Sequence, residues 1–263
     1  MGLVEDFVID RRSELDCETM SPSPPRWFTA LSKVFRAHPN ANGTLTRYAV
    51  KPKEGKIDDV LSTVVQLATT DKTVPQVRSC IVRELVSLDG HEDLPIVLTT
   101  TDVRTPKVEQ ILANDTVQIC WWIGSSGDQF RLTGKATLVP APGKTPKSEG
   151  RLPAGDLDWE AKRVQIFDSL SDHMRAGWCR PTPGTPMPGG YEDAKKWPQT
   201  VPTTTGATTE KEKRLVEQAL ANFALVLIEP TYVDWIQVSV VPNQRTLFHR
   251  DGGGIWTEAI VVP

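Results

Sequence analysis

The chain has 263 residues, 24% of them charged and 39% hydrophobic, the balance of an ordinary globular protein near the upper size for a single hydrophobic core. A net charge of −3 argues against a general nucleic-acid binder, which needs a basic face. No apolar run approaches the roughly 18 residues of a membrane helix, and the start, MGLVEDFVIDRR, is too short and acidic for a secretory signal, so a soluble cytoplasmic protein is expected.

Residues 1–19 read as an appended N-terminal segment, and 20–263 as the folded domain. SPSPPRW is an extended lead-in, because a residue before proline avoids the helical region. A short amphipathic helix is expected over Trp27 to Arg36, followed by a polar, irregular stretch over 38–56. STVVQLATT (62–70), VRSCIVREL (77–85) and IVLTTTD (96–102) read as strands, the last two joined by a hairpin-like loop, LDGHEDLP. TPKVEQILAND (105–115) is a short helix. TVQICWWIG (116–124) and QFRLTGKATLVP (129–140) form another hairpin around SSGD. A Pro/Gly/Lys-rich loop covers 140–156, and 156–178 has helical apolar spacing at Trp159, Val164, Ile166, Phe167, Leu170 and Met174. Residues 180–206, rich in Pro, Gly and Thr, read as a disordered insert or a functional lid. A helix over 210–223 and the runs ALVLIEP, VDWIQVSVV, RTLFHR and GIWTEAIVV close the chain. Strands outnumber helices and follow one another directly, so the expected class is mainly β, an antiparallel barrel with attached helices.

Chemistry is concentrated in four places. In TTTDVRTPK, Thr105 is a good N-cap and Pro106 suits the first helical position. Arg104 and Lys107 then sit at the positive end of a helix, where cations are disfavoured. An anion bound by helix N–H groups, these two cations and threonine hydroxyls of the run would resolve the conflict. Solvated side chains at an ordinary helix start are the plain alternative. In VRSCIVREL, Arg78 and Arg83 are five apart on a strand and face opposite ways; an arginine on a buried strand needs a phosphate, a ring or a carboxylate as partner. In WWIGSSGDQFRLTG, Gln129 begins a strand and its amide could read a polar ring edge, while Trp121 and Trp122 face opposite sides. In the tail, Trp235 and Arg245 flank a polar turn, and Asp251 to Gly254 is a hairpin turn. Cys17, Cys80, Cys120 and Cys179 form no C-x-x-C pair and read as reduced thiols; with four scattered histidines, no metal site is expected.

In this order and spacing, the motifs resemble the pyridoxamine 5′-phosphate oxidase-like family of split β-barrels that bind flavin mononucleotide (FMN), and more closely its Alr4036-type branch. The resemblance runs over residues 24–263, with 140–156 and 180–206 as insertions. It implies FMN as cofactor and a homodimer with FMN at the subunit interface. It places Arg78, with Ser79 beside it, near the flavin ring and ribityl chain, and Arg83 where flavin and substrate meet. It puts Thr100, Thr101, Thr105 and Lys107 on the phosphate, Gln129 on the ring edge, and Trp235 and Arg245 on flavin contacts from the other subunit.

Two departures qualify what the resemblance implies. The family's Ser-Arg-Lys phosphate run reads Thr105-Pro106-Lys107, leaving Arg104 to replace the missing arginine. The substrate-holding Arg-x-His-x-Arg run reads Val241-Pro242-Asn243-Gln244-Arg245, so only the flavin arginine is kept. The expected function is an FMN-dependent oxidoreductase acting on a small substrate, with pyridoxamine phosphate oxidation itself in doubt. Catalytic residues are unassigned, since His249 reads as a surface strand residue. The alternatives are a non-catalytic FMN carrier or sensor, and a split barrel that has lost flavin or binds haem.

Overall fold

The computed structural model describes residues 23–39, 45–49, 63–144 and 157–263. The expected N-terminal segment 1–19, and parts of the two stretches 38–56 and 140–156, lie outside them. The chain opens with helix α1 (Arg26–Leu31), a 3-10 turn (Ser32–Val34) and strands β1 (Phe35–Pro39) and β2 (Leu45–Ala49). The helix expected to reach Arg36 therefore stops at Leu31. Trp27, Phe28 and Leu31 are buried together at its end, and the β-branched Val34 and aromatic Phe35 favour the extended chain that follows.

Six further strands close a barrel: β3 (Val64–Asp71), β4 (Val74–Leu88), β5 (His91–Asp102), β6 (Thr116–Ile123), β7 (Asp128–Val139) and β8 (Phe223–Gln237). The antiparallel pairings β4–β3, β3–β6, β6–β7, β7–β8, β8–β5 and β5–β4 return to their starting strand. Closure leaves these strands without a free edge. Strand β2 joins the far half of β4, and β9 (Gln244–Arg250) with β10 (Trp256–Val261) extends from β8. The loop expected at LDGHEDLP shrinks to Asp89 and Gly90, with Gly90 at φ 76°, a conformation open to glycine at little cost.

The runs ALVLIEP and VDWIQ are one 15-residue strand, β8. Its register against β7 slips where Thr133 faces Tyr232 but Gly134 faces Pro230. A Cβ on Gly134 would lie 2.3 Å from the carbonyl oxygen of Glu229, so the bulge requires glycine there.

The two faces of β8 serve two cores. Val226, Ile228 and Val233 join Leu67, Val82, Ile119, Trp121, Phe130 and Leu132 inside the barrel. Phe223, Leu225 and Leu227 join Ile96, Leu98 and a helical layer outside it. That explains the unbroken apolar run FALVLI: a strand buried on both sides needs no polar alternation. Helix α2 (Pro106–Ala113) contributes Val108 and Ile111 to the inner core.

The outer layer is α3 (Trp159–Ser169), α4 (Asp172–Ala176), a 3-10 turn (Gly177–Cys179), α5 (Tyr191–Ala194) and α6 (Glu210–Asn222). The helical run expected over 156–178 breaks at Leu170, because the Ser171 side chain caps a new helix by accepting from the Met174 amide. Residues 180–206 hold only the one short helix, yet they are fastened to this layer. Arg175, 2% exposed, donates to the carbonyls of Val201 and Pro202, and Asp168 accepts from the amide and hydroxyl of Thr204. No helix among the described residues is long and apolar enough to cross a membrane.

Candidate functional site

A cavity of about 310 Å³ opens where β4, β5, the start of α2 and the Gly177–Pro183 segment meet. That volume is at the lower end of the range for small-molecule sites. Its barrel-side wall holds Ser79, Ile81, Arg83, Thr100, Thr101, Asp102 and Lys107, and its outer wall holds Met174, Gly177, Trp178 and Pro183.

Alternation along β4 separates the two arginines as the sequence implies. Ser79, Ile81 and Arg83 line the cavity, while Val82 belongs to the inner core and Cys80 borders both. Arg83 sits at a register slip, since Val82 pairs with Thr99 and Glu84 with Leu98. The Arg83 Nε atom is buried with no hydrogen-bond partner among the described residues, and burial lowers the guanidinium's affinity for its proton. Both observations describe a cation that the chain does not neutralise.

Lys107 is in the same condition. It lies in the first turn of α2, and burial is the first cause lowering its pKa, opposed by the nearby Cys80 and Asp102 and reinforced by Arg78. Among the described residues its ammonium has neither a hydrogen bond nor an ion pair. Thr105 is the N-cap as expected, but its hydroxyl donates to the Asp102 carbonyl and lies 3.2 Å from the Thr101 hydroxyl, without capping an amide. Two half-buried cations, two threonines and an uncapped helix start therefore converge on one side of the cavity, an arrangement suited to phosphate.

The remaining expected site residues lie elsewhere. Arg78 points away from the cavity lining, donating to the Thr69 hydroxyl at 2.6 Å, the Gln110 side-chain oxygen at 3.0 Å and the Leu67 carbonyl at 3.3 Å; its partners are neutral oxygens that tie β3 and β4 to α2. Arg104 binds Asp102 through Nε and NH2 and also reaches the carbonyls of Trp178 and Arg180.

Gln129, Trp235 and Arg245 line no part of the cavity. They sit together on neighbouring strands, where Gln129 faces Ile236 and Ile236 faces Arg245. Trp235 stacks on Phe130 and donates to Asp128. Asp234, 3% exposed, receives Arg245 at 3.0 Å and also Arg131. Its hydrogen bond raises the Arg245 pKa.

Sequence reasoning missed the outer wall. Met174 carries a helical-spacing signal and Trp178 stands at the end of that run, but both also fit core packing. The signal was the position of the Pro/Gly-rich stretch directly after them: a segment without repeating structure beside a site forms a wall more readily than a core. Among the described residues no cluster of His, Cys, Asp and Glu could hold a metal ion, and His249 is exposed on β9.

A family model described as the FMN-binding domain of pyridoxamine 5′-phosphate oxidase matches residues 50–140, the stretch that carries Arg83, Thr100, Thr101 and Lys107. Among curated proteins, the chain is similar to pyridoxine/pyridoxamine 5′-phosphate oxidase 2 of Arabidopsis thaliana, with 24% identity over 209 residues, covering 77% of this chain and 88% of that one. Among solved structures it is similar to a pyridoxamine 5′-phosphate oxidase-related, FMN-binding protein of Nostoc punctiforme PCC 73102, with a TM-score of 0.60 and 24% identity, covering 78% of this chain and 90% of that one. This last likeness shows a common fold. Residues 50–140 thus match the FMN-binding domain of pyridoxamine 5′-phosphate oxidase, and the chain as a whole is similar to proteins related to that oxidase.

Proposed function

We propose that this chain holds FMN in the Lys107 cavity and acts as an FMN-dependent oxidoreductase on a small substrate. The observation that carries the reading is the pair of half-buried cations at the cavity, Arg83 and Lys107, neither of which is in an ion pair among the described residues, within a stretch matched to an FMN-binding family. Lys107 and the hydroxyls of Thr100 and Thr101 would hold the phosphate. Ser79 and Arg83 would lie along the rest of the nucleotide. Arg78 and Thr105 support this floor from below. FMN, when bound, supplies the electron-accepting and electron-donating chemistry. The chain's part is to bind and orient it, and the Arg83 guanidinium is the group placed to stabilise negative charge developing beside it.

Gln129, Trp235 and Arg245 complete the same site if a second copy presents them across a dimer interface, and we place the chain in the Alr4036-type branch on its Thr-Asp-Val-Arg-Thr-Pro-Lys run and its altered tail. A second reading, an FMN carrier or sensor without turnover, is favoured by one observation. The Arg245 guanidinium is held by Asp234, and the residues before it include no histidine or second arginine to seat a substrate phosphate.

Incubation with FMN should give a yellow complex with one flavin per chain. Reduction by NADH or NADPH, followed by reoxidation with pyridoxamine phosphate or other amines and small electrophiles, separates the two readings. Flavin reduction with no acceptor chemistry supports the carrier. A colourless protein that refuses FMN overturns both.

A further inference from the structure

Arg104 stands beside the phosphate-binding residues, but its hydrogen bonds run the other way. Its Nε and NH2 grip both carboxylate oxygens of Asp102 at 2.9 and 2.7 Å. From this anchored position NH1 donates to the Arg180 carbonyl at 3.0 Å and NH2 to the Trp178 carbonyl at 3.4 Å. The Trp178 indole returns a bond to the Thr101 carbonyl at 3.2 Å. The segment is held from behind as well: Asn222 donates to Trp178 and Gln218 to Cys179.

Gly177, Trp178 and Pro183 form the outer wall of the cavity whose floor is Thr101, Asp102 and Lys107. This wall lies outside residues 50–140, so a fastening between them joins the matched stretch to a later part of the chain. The planar five-donor guanidinium suits that task, since it can take two carboxylate oxygens and two carbonyls at once. A lysine ammonium in its place would keep the charge but not the fork.

We propose that the Asp102–Arg104 pair is a clamp that fixes the Gly177–Pro183 segment as the outer wall of the cofactor cavity. Arg104 is then a positioning residue that governs how long the cofactor stays, and supplies none of the charge on its phosphate. The proposal rests on the FMN reading above, and its test keeps the two apart.

Riboflavin lacks the phosphate, so comparing it with FMN separates charge from closure. Both ligands are titrated into the full chain and into Arg104→Ala, Arg104→Lys and Lys107→Met. A clamp predicts that Arg104→Ala weakens FMN and riboflavin by the same factor, about tenfold, and that Arg104→Lys fails to restore either. Lys107→Met weakens FMN alone. Loss confined to FMN in Arg104→Ala, with recovery in Arg104→Lys, makes Arg104 a phosphate cation and overturns the clamp.

Hydrogen exchange of the 177–182 amides in the ligand-free chains gives an independent reading. Exchange should rise in both Arg104 variants; unchanged exchange overturns the proposal. If the native chain takes neither flavin, the FMN reading falls, and the exchange result still decides the clamp. If Arg104→Ala does not fold, Arg104→Lys carries both measurements.

Discussion

Two regions of the barrel gather basic side chains, and they treat charge in opposite ways. Around Asp234, two arginines share one carboxylate that is 3% exposed; the cluster is satisfied by the chain itself. Around Lys107, two cations are half-buried with no carboxylate in an ion pair with either among the described residues, and the nearby acid, Asp102, is taken by Arg104. Both regions look alike as sequence, since each is an arginine or lysine on a strand or helix end. Only the second has a polar demand left unmet, and an unmet demand at a cavity points to a ligand.

The largest expected effect breaks this contrast at its centre. The double change Arg83→Ala with Lys107→Ala removes two charged hydrogen-bond donors, each contributing about 1.5–3 kcal/mol. FMN affinity should fall by at least about a hundredfold, read by fluorescence titration. The double change Arg131→Ala with Arg245→Ala should cost less, because Arg245, proposed to reach the cofactor only across a dimer interface, is already paired with Asp234. Equal losses from the two pairs would mean that both regions hold charge on the cofactor.

The rule behind the contrast, that a buried charge is paired unless a ligand needs it, is tested one residue along the chain. Glu84 follows Arg83 but lies fully buried against the outer core, 2.8 Å from the Lys162 ammonium. Burial, only partly offset by Lys162, pushes the Glu84 carboxyl up to about 7. A raised native pKa means that the folded chain holds this proton more tightly than the unfolded one. The associated stability is fully present below about pH 4.5 and is lost as pH rises through about 7. Removing the ammonium in Lys162→Met should cost up to about 3 kcal/mol near pH 8, where Glu84 must either stay charged without its counter-charge or take up a proton against the pH. Near pH 5 the carboxyl takes up a proton and the penalty should shrink. Denaturant unfolding at the two pH values measures this, and a penalty independent of pH would show that packing, not charge, holds the pair.

The contrast itself was only partly visible in the sequence. The barrel was legible because its strands carry turn signals and alternation, and Thr105-Pro106 marked the start of α2 correctly. Strand β8 was divided in two because Pro230 reads as a breaker, whereas the bulge opposite Gly134 absorbs it. Lys107 and Arg83 were named because a cation at a helix start or on an apolar strand is locally unusual. Arg104 was placed with them for the same reason, but its partners Trp178 and Arg180 are more than seventy positions away. No local pattern reports a contact at that separation. The outer wall was hidden for a related cause: Met174 and Trp178 obey helical spacing, which describes a face without saying what it faces.

A smaller effect sharpens the self-satisfied side. Asp234→Asn keeps the shape of the acceptor but removes the charge that two arginines share. The arginine side chains are 40% and 30% exposed, so water offsets part of the loss. A destabilisation of about 1–2 kcal/mol is expected, lowering the thermal midpoint by a few degrees. The ligand-free chain is the right material, since the contribution is internal. No change in midpoint would mean that this cluster is held for presentation to a partner and adds nothing to stability.

The smallest effect has the opposite sign. Lys107→Met replaces a half-buried ammonium with an apolar side chain of similar length, so the ligand-free chain should become slightly more stable near neutral pH, by a few tenths to about 1 kcal/mol. The sign follows from the lowered pKa of Lys107. A base held below 10.5 in the folded state is penalised while charged, and that penalty disappears as pH rises through its native pKa toward 10.5. The advantage of Lys107→Met should therefore fade in alkaline solution. With FMN present the order reverses, because ligand binding stabilises the native chain in proportion to the logarithm of concentration over Kd, and the variant forfeits most of that gain. Thermal unfolding of both chains with and without FMN reads the crossing directly. If Lys107→Met is less stable than the native chain even without FMN, Lys107 is a structural cation like Arg131, and the contrast between the two regions collapses.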